Sequence, residues 1–346
     1  MNKTIRGSTV LVTGAGGSIG SALSKTIISY GPQLLILLDH SEQNLYEIET
    51  DLASNQKGIP VFSVVGDICN EGLISAILEQ YRPNVIHHVA AFKHVPLMER
   101  NPIAAIRNNG LGTNILAQCA QAHGVETLTM VSTDKAVNPR SIMGASKRLA
   151  ELALVRWGTG ETRMRSIRLG NVLGTKGSVV RIFVEQILAG GPITVTHPDA
   201  TRYFLALPEA VDLILMAAEL PGSSGILIPD LGEPVKIIDL AHRMMKEAGC
   251  DPETMIPITF IGLRPGDKMA EDFASVSEFV ESTTDSRLSR LIGTEIPAER
   301  FDTYMEHLKS AVDQHDLGVV LDVLRCILPE YEPSECVLRS LEGASA

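Results

Sequence analysis

The segment STVLVTGAGGSIGSALSKTIISYG, residues 8–31, restricts the possible folds more than any other part of the chain. Its first half is a run of β-branched and aliphatic residues, the pattern of a buried strand. Its second half has helical periodicity and stops at Gly31. Between them stand Gly14, Gly17 and Gly20 in GxxGxxG spacing. A strand that turns this tightly into a helix presents free N–H groups and the positive end of the helix dipole to a ligand. The missing side chains let a dinucleotide pyrophosphate approach the backbone. Ordinary turns also use glycine, so the triplet takes its meaning from context. Asp39 closes the next strand, QLLILLDH (33–40), roughly 20 residues on. A carboxylate there accepts hydrogen bonds from the adenosine ribose hydroxyls and repels a 2′-phosphate. His40 and Ser41 follow, with no arginine to receive such a phosphate, so NAD(H) is expected rather than its phosphorylated form. The cofactor candidates in this segment are Gly14, Gly17, Ser18, Ile19, Gly20 and Asp39.

The alternation continues. SEQNLYEIETDLAS opens a helix with Ser41 as N-cap. VFSVVGDI (61–68), NVIHHVAA (84–91) and ETLTMVST (126–133) supply further strands, with helices predicted over 70–81, 99–107 and 109–123. A helix from Met143 to Trp157 leads into a sixth strand in TRMRSIRLGNVLG (162–174). Strands alternating with helices of this length specify an α/β fold with a doubly wound parallel Rossmann sheet. From residue 175 the rhythm changes to amphipathic helices in SVVRIFVEQILAGG, LPEAVDLILMAAEL, IIDLAHRMMKEAG and FDTYMEHLKSAVDQ. Short extended pieces, ITVTH, ILIPD and IPITFIGL, separate them. The expected division is an NAD-binding domain over residues 1–174 and a smaller, mostly helical, mainly substrate-binding region over 175–346. Without a low-complexity linker, the two parts are expected to share a rigid interface.

Composition excludes several functions. A net charge of −11 disfavours nucleic acid and anionic membrane surfaces, so local Lys and Arg clusters are expected to serve a small anion. Cys69, Cys119, Cys250, Cys326 and Cys336 lack paired metal spacing and read as reduced thiols of a cytoplasmic protein. No stretch approaches the ~20 apolar residues of a membrane helix, so no membrane insertion is expected. No metal-ligand cluster is visible. The 45% apolar content of the 346 residues suffices for a sizeable core.

TGAGGSIG, GDI, AAFKHVP, NNGLGT, STDKAVNP, MGASKR, RLGNVLG, GSVV, TRYF and LRPGDK occur in this order. Together they resemble the extended short-chain dehydrogenase/reductases of polysaccharide biosynthesis, specifically the nucleotide-sugar 4,6-dehydratases acting on UDP-N-acetylglucosamine. The resemblance runs from about residue 8 to LPEYEPS at 328–334. Many relatives carry an N-terminal membrane region, and this chain resembles the short soluble form or a portion of the long one. Such enzymes usually have tyrosine four residues before the lysine of STDKAVNPRSIMGASKR, where this chain has Met143 ahead of Lys147. One branch of the family shares that methionine, which makes Met143 a branch marker and favours retention at C5. The resemblance implies NAD as cofactor, a UDP-sugar substrate and a homo-oligomer.

A 4,6-dehydratase moves a hydride from sugar C4 to NAD⁺ and later to C6, and expels water between C5 and C6. It needs a base at O4, a base at C5 and an acid at O6. By resemblance, Asp134 and Lys135, at the C-terminal end of a strand where such sheets bind ligands, take the two elimination roles. Lys135 is the C5 base if burial and the nicotinamide charge leave it neutral, and Asp134 is the protonated acid. Thr133 hydrogen-bonds O4 in place of the absent phenol. Met143 packs against nicotinamide or sugar, or simply within its helix. Lys147, one turn further on the same face, resembles the lysine that binds the nicotinamide ribose, a solvated surface lysine being the alternative. Asp67 and Ile68 are expected at the adenine, though Asp67 as a helix cap is equally compatible. Ala90 and Lys93 resemble cofactor contacts, and His94 reads as structural. Asn109 resembles the asparagine that steadies the central strands. Asn171 and Val172 resemble a substrate and a carboxamide contact. Arg181, Arg202 and Arg264 suit a nucleotide diphosphate, while each alone is compatible with a surface salt bridge. The rival functions are a nucleotide-sugar 4-epimerase, which does not need the Asp134–Lys135 pair, and a non-catalytic NAD(H)-binding regulator.

Overall fold

The computed structural model describes residues 3–54, 58–250, 256–293 and 296–343. Strands β1 (Thr9–Thr13), β2 (Leu34–Asp39), β3 (Val61–Val65), β4 (Val85–His88), β5 (Thr127–Thr133) and β6 (Arg163–Leu169) run parallel in the order β3-β2-β1-β4-β5-β6. The order reverses between β1 and β4, which opens a crevice at the strands' C-terminal ends. Strands β1 and β2 read as nearly unbroken apolar runs because helices cover both faces of the sheet. Val10 and Val12 pack with α1 (Ser18–Ser29) and α2 (Glu42–Ala53), while Leu11 turns to α3 (Glu71–Tyr81) on the opposite side. Ser41 caps α2 as expected, its hydroxyl accepting the Asn44 N–H at 3.3 Å.

The helix predicted over 99–107 is interrupted. It is replaced by α4 (Val95–Glu99) and α5 (Pro102–Ala105), because Pro102 begins a helix but cannot continue one. A π-helical turn, Ile106–Leu111, then precedes α6 (Gly112–Ala122). The helix α7 (Ile142–Trp157) appears where the sequence indicates it. The sixth strand is shorter than predicted. It ends at Leu169, and Asn171–Val172 pairs separately with Phe204–Leu205. A side chain on Gly170 would meet the Tyr203 carbonyl oxygen at 2.7 Å, so only glycine makes this bend.

After residue 174 the chain does not leave the sheet. Gly225–Pro229 extends it beside β6, and Leu288–Ile292 and Phe279–Ser282 complete its edge in antiparallel fashion. The last two strands, only two of whose residues (Leu288 and Leu291) are buried, lack the buried run that marks the inner ones. Leu207–Glu219 packs on the α1 face, whereas Ala298–Asp313 and Leu317–Ile327 close over α7. A separate small cluster around Phe183, Ile193, Ile237 and Met245 stands across the crevice. The change of rhythm at residue 175 therefore marks where the chain begins to build the far wall of a cavity; the sheet itself is shared by both halves of the sequence.

Candidate active site

The glycine turn is a close-packed junction. Gly14 has φ +67°, and a Cβ there would sit 2.6 Å from the Ala90 backbone. A Cβ on Gly20 would meet the Gly14 carbonyl oxygen at 2.1 Å. Gly17 opens α1 without any side-chain cap, so the amides at Ser18 and Ile19 face a ligand with the helix dipole behind them. Asp39 is buried, and its carboxylate accepts the N–H groups of Gly16 and Ser41, each at 3.0 Å. It thus ties the turn to α2 at the tip of β2. Asp67 lies exposed after β3 and accepts the Cys69 N–H at 2.8 Å, whereas Asn70 caps α3. This removes the helix-cap reading of Asp67. Ile68 is buried against the α3 side of the core. These residues fit an adenine dinucleotide: a side-chain-free cradle, an open helix N-terminus and carboxylates beyond β2 and β3.

A cavity of about 400 Å³ continues from this turn. Ile19, Lys93, Thr133, Lys135, Met143 and Lys147 line it, together with Asn171, Val172, Arg202 and Arg264. Arg181 is not among the lining residues and lies exposed on the Val179–Leu188 helix. Arg202 also departs from expectation. It is buried, and its guanidinium donates to the carbonyls of Thr201 (2.6 Å), Lys268 (2.8 Å) and Met269 (3.2 Å). Its donors hold the 264–271 loop, which leaves little for a diphosphate. Arg264 remains half-exposed at the cavity, paired with Asp267 at 2.8 Å.

The centre of the cavity is the turn that follows β5. The Thr133 hydroxyl donates to Asp134 Oδ1 at 2.9 Å, and Lys135 Nζ donates to the same oxygen at 2.9 Å and to Asn171 Oδ1 at 3.3 Å. Asp134 is fully buried, and its Oδ2 has no hydrogen-bond partner among the described residues. Glu271, which nothing local in the sequence marks, brings Oε1 to 3.5 Å from Lys135 Nζ. Burial alone pushes the Lys135 ammonium down, but Asp134 and then Glu271 outweigh it and carry its pKa above the ordinary lysine value. The two carboxylates around Lys135 thus favour its ammonium form, whereas the neutral amine expected from the sequence requires burial and the nicotinamide charge to prevail.

Met143 is buried, packs with Ile142, Ala145 and Leu149, and also lines the cavity. Lys147 is buried too, which excludes the solvated alternative; desolvation lowers its pKa to about 8 although Glu151 opposes the shift. Asn109 accepts the Phe92 N–H at 2.8 Å and donates to the Phe92 carbonyl and Ser146 Oγ, each at 2.9 Å. It clamps the segment bearing Ala90 and Lys93 onto the helix bearing Lys147. Partial burial lowers the pKa of Lys93. His94 is exposed and lines the cavity, its ring close to Gly177. Among the described residues no His, Cys, Asp and Glu cluster could hold a metal, and no helix is long and apolar enough to cross a membrane.

The chain is similar to known proteins in sequence and in fold. The crystal structure of Pen from Bacillus thuringiensis superposes with a TM-score of 0.74 at 27% identity, covering 85% of this chain and 91% of that one. The probable polysaccharide biosynthesis protein EpsC of Bacillus subtilis is 44% identical over 80% of this chain. The chain spans about half, 47%, of that relative's length. A UDP-glucose 4-epimerase of Rickettsia rickettsii is 31% identical, over 79% of this chain and 80% of its own. An inverting UDP-N-acetylglucosamine 4,6-dehydratase of Campylobacter jejuni is 30% identical over 77% of each chain. The sequence pattern described for polysaccharide biosynthesis proteins matches residues 10–292, from the first strand through the last strand of the sheet. The glycine turn, the Thr133–Asp134–Lys135 turn and the loop that brings Glu271 to it all fall inside that match, and the chain belongs to the polysaccharide biosynthesis protein family.

Proposed function

We propose that this chain binds NAD and dehydrates UDP-N-acetylglucosamine to a UDP-4-keto-6-deoxy-N-acetylhexosamine, in the cytoplasm, for bacterial-type surface glycan biosynthesis. The observation that carries this reading is the hydrogen-bonded line Thr133–Asp134–Lys135, whose two ends line the cavity with Asp134 buried between them, both links being 2.9 Å long. Reversible oxidation at C4 alone, as in an epimerase, has no use for an adjacent acid–base pair. When bound, NAD⁺ supplies the hydride acceptor for C4 and the hydride donor for C6.

The side chains do the rest. Thr133 Oγ1 accepts the O4 proton and passes its own to Asp134 Oδ1 along the bond it already makes. Asp134 thereby arrives protonated, which is what departure of the C6 hydroxyl as water requires. Lys135, once it has lost a proton, removes the proton from C5, and returning it to the same face gives retention. Lys147 donates to the nicotinamide ribose, and Asn171 and Arg264 hold the sugar and the diphosphate. Arg181 and Arg202 were equal candidates by sequence, but here Arg264 is the arginine at the cavity with room for a ligand. Met143 cannot carry a proton and serves as apolar wall.

Proton NMR of the reaction with UDP-N-acetylglucosamine in deuterated water tests this. A new C6 methyl group and a C4 ketone are expected, with C5 configuration kept. The 31% identity to a 4-epimerase keeps that second reading open, and a C4 epimer without loss of water would establish it. Absence of any turnover despite NAD binding would indicate a regulator. A homo-oligomer is expected with this reading, and sedimentation velocity measures it.

A further inference from the structure

Glu271 is 4% exposed, and a carboxylate buried to that degree must be paired. Its Oε1 lies 3.5 Å from Lys135 Nζ and 4.0 Å from Arg202 Nε, and its Oε2 lies 3.3 Å from Lys268 Nζ. Oε2 has no hydrogen-bond donor with good geometry among the described residues, so the carboxylate keeps accepting capacity. Two cations fix its loop. Lys268 Nζ donates to the Val137 carbonyl at 2.6 Å, just past the Asp134–Lys135 turn. Arg202 grips the carbonyls of Lys268 and Met269 from the other side. The charged groups around Lys135 are thus Asp134, Glu271 and Arg202, with Lys268 behind Glu271.

The proton balance of the proposed dehydration leaves a gap here. Asp134 is filled by the proton from O4 and must keep it for O6. A charged Lys135 therefore needs another acceptor before it can act as a base. Resting on the dehydratase reading, we propose that Glu271 is a positioning residue that governs Lys135: it holds the ammonium beside Asp134 at rest and accepts its proton during turnover. Lys135 gives a proton to Glu271 and takes the C5 proton. The C5–H electrons form the C5–C6 double bond as the C6–O bond breaks, and the oxygen leaves as water with the proton of Asp134. After hydride addition at C6, Lys135 returns its proton to C5 and Glu271 restores the ammonium. Asp134 ends as the carboxylate it began as.

The test compares Glu271→Gln and Glu271→Asp with the unaltered chain. In a single turnover, Glu271→Gln should still oxidise C4, read as nicotinamide reduction, within about threefold of the unaltered rate. Water loss near neutral pH should fall by roughly 10²-fold. It should recover about tenfold per unit as pH rises, because Lys135 then loses its proton directly to solvent. The unaltered chain should show no such slope, and Glu271→Asp should restore much of the rate. Equal turnover without a pH slope, or loss of both half-reactions with no rescue by aspartate, would overturn the proposal. Acylation of Lys135 across pH without substrate, read by peptide mass spectrometry, keeps the two readings separable. Glu271→Gln should shift its half-reactive pH downward by about one unit or more. If the unaltered chain dehydrates no sugar nucleotide, the dehydratase reading fails, while the acylation shift still decides whether Glu271 controls the lysine; no shift refutes that control.

Discussion

Lys147 sits where its own charge is unwelcome. Its folded-state pKa of about 8 lies below the usual lysine value because burial outweighs the attraction of Glu151. The unfolded chain therefore holds that proton more tightly, which penalises the folded state by about 3 kcal/mol below pH 8. The penalty fades as pH climbs from 8 towards 10.5. Lys147→Met should accordingly raise the melting temperature at neutral pH, by the equivalent of about 1–3 kcal/mol, while abolishing turnover; calorimetry and a product assay check both. Gly14→Ala should do the opposite to stability. A positive φ and a 2.6 Å approach to the Ala90 backbone together cost on the order of 2–4 kcal/mol. Loss of NADH fluorescence binding should accompany it. Both positions were legible in the sequence, because a glycine turn and a lysine one helical turn past Met143 are local patterns. The charge of Lys135 was not.

The α7 helix was also legible in its bounds but not in its surroundings. Lys147, Arg148 and Glu151 are all buried, although their charges alone do not show it. Arg168 of β6 meets Glu151 and Glu278, each at 2.8 Å, and Arg148 meets the same two carboxylates at 3.0 and 2.9 Å. Ser132, next to Thr133, donates to Glu151 at 2.6 Å. Burial alone would push the Glu151 carboxyl up, but Arg168 and Arg148 overcome it and hold the pKa at about 2. The stability this gives is present above the unfolded value of 4.5 and lost as pH falls towards 2. Glu151→Gln strands buried guanidinium charge and should cost about 3–5 kcal/mol, seen in denaturant unfolding at pH 7 and largely absent near pH 2.

The 264–271 loop ties the two halves of the chain together through Val137 and Arg202, and the arginines divide their work there. Arg202→Met should free the loop and displace Glu271 and Lys268. The expected result is a fall in kcat of roughly 10²-fold with KM moved less than about tenfold. Arg264→Ala removes a charged donor from the cavity, so KM should rise about tenfold with kcat nearly kept; steady-state kinetics separates the two. The reverse pattern would return Arg202 to the diphosphate.

Most strands and helices over the first 174 residues and the glycine turn that indicates NAD follow from patterns a few residues long, since backbone geometry and side-chain periodicity act over that range. The roles of Thr133, Asp134 and Lys135 came from the family resemblance, and the break at Pro102 and the bend at Gly170 from the structure. The edge strand Phe279–Ser282 was hidden because all four of its residues are exposed and no buried apolar run marks it. The protonation of Lys135, the partnering of Glu271 and the occupation of Arg202 were decided by folding alone. They depend on electrostatic fields that fall off over a few ångströms, between groups that the chain itself keeps far apart.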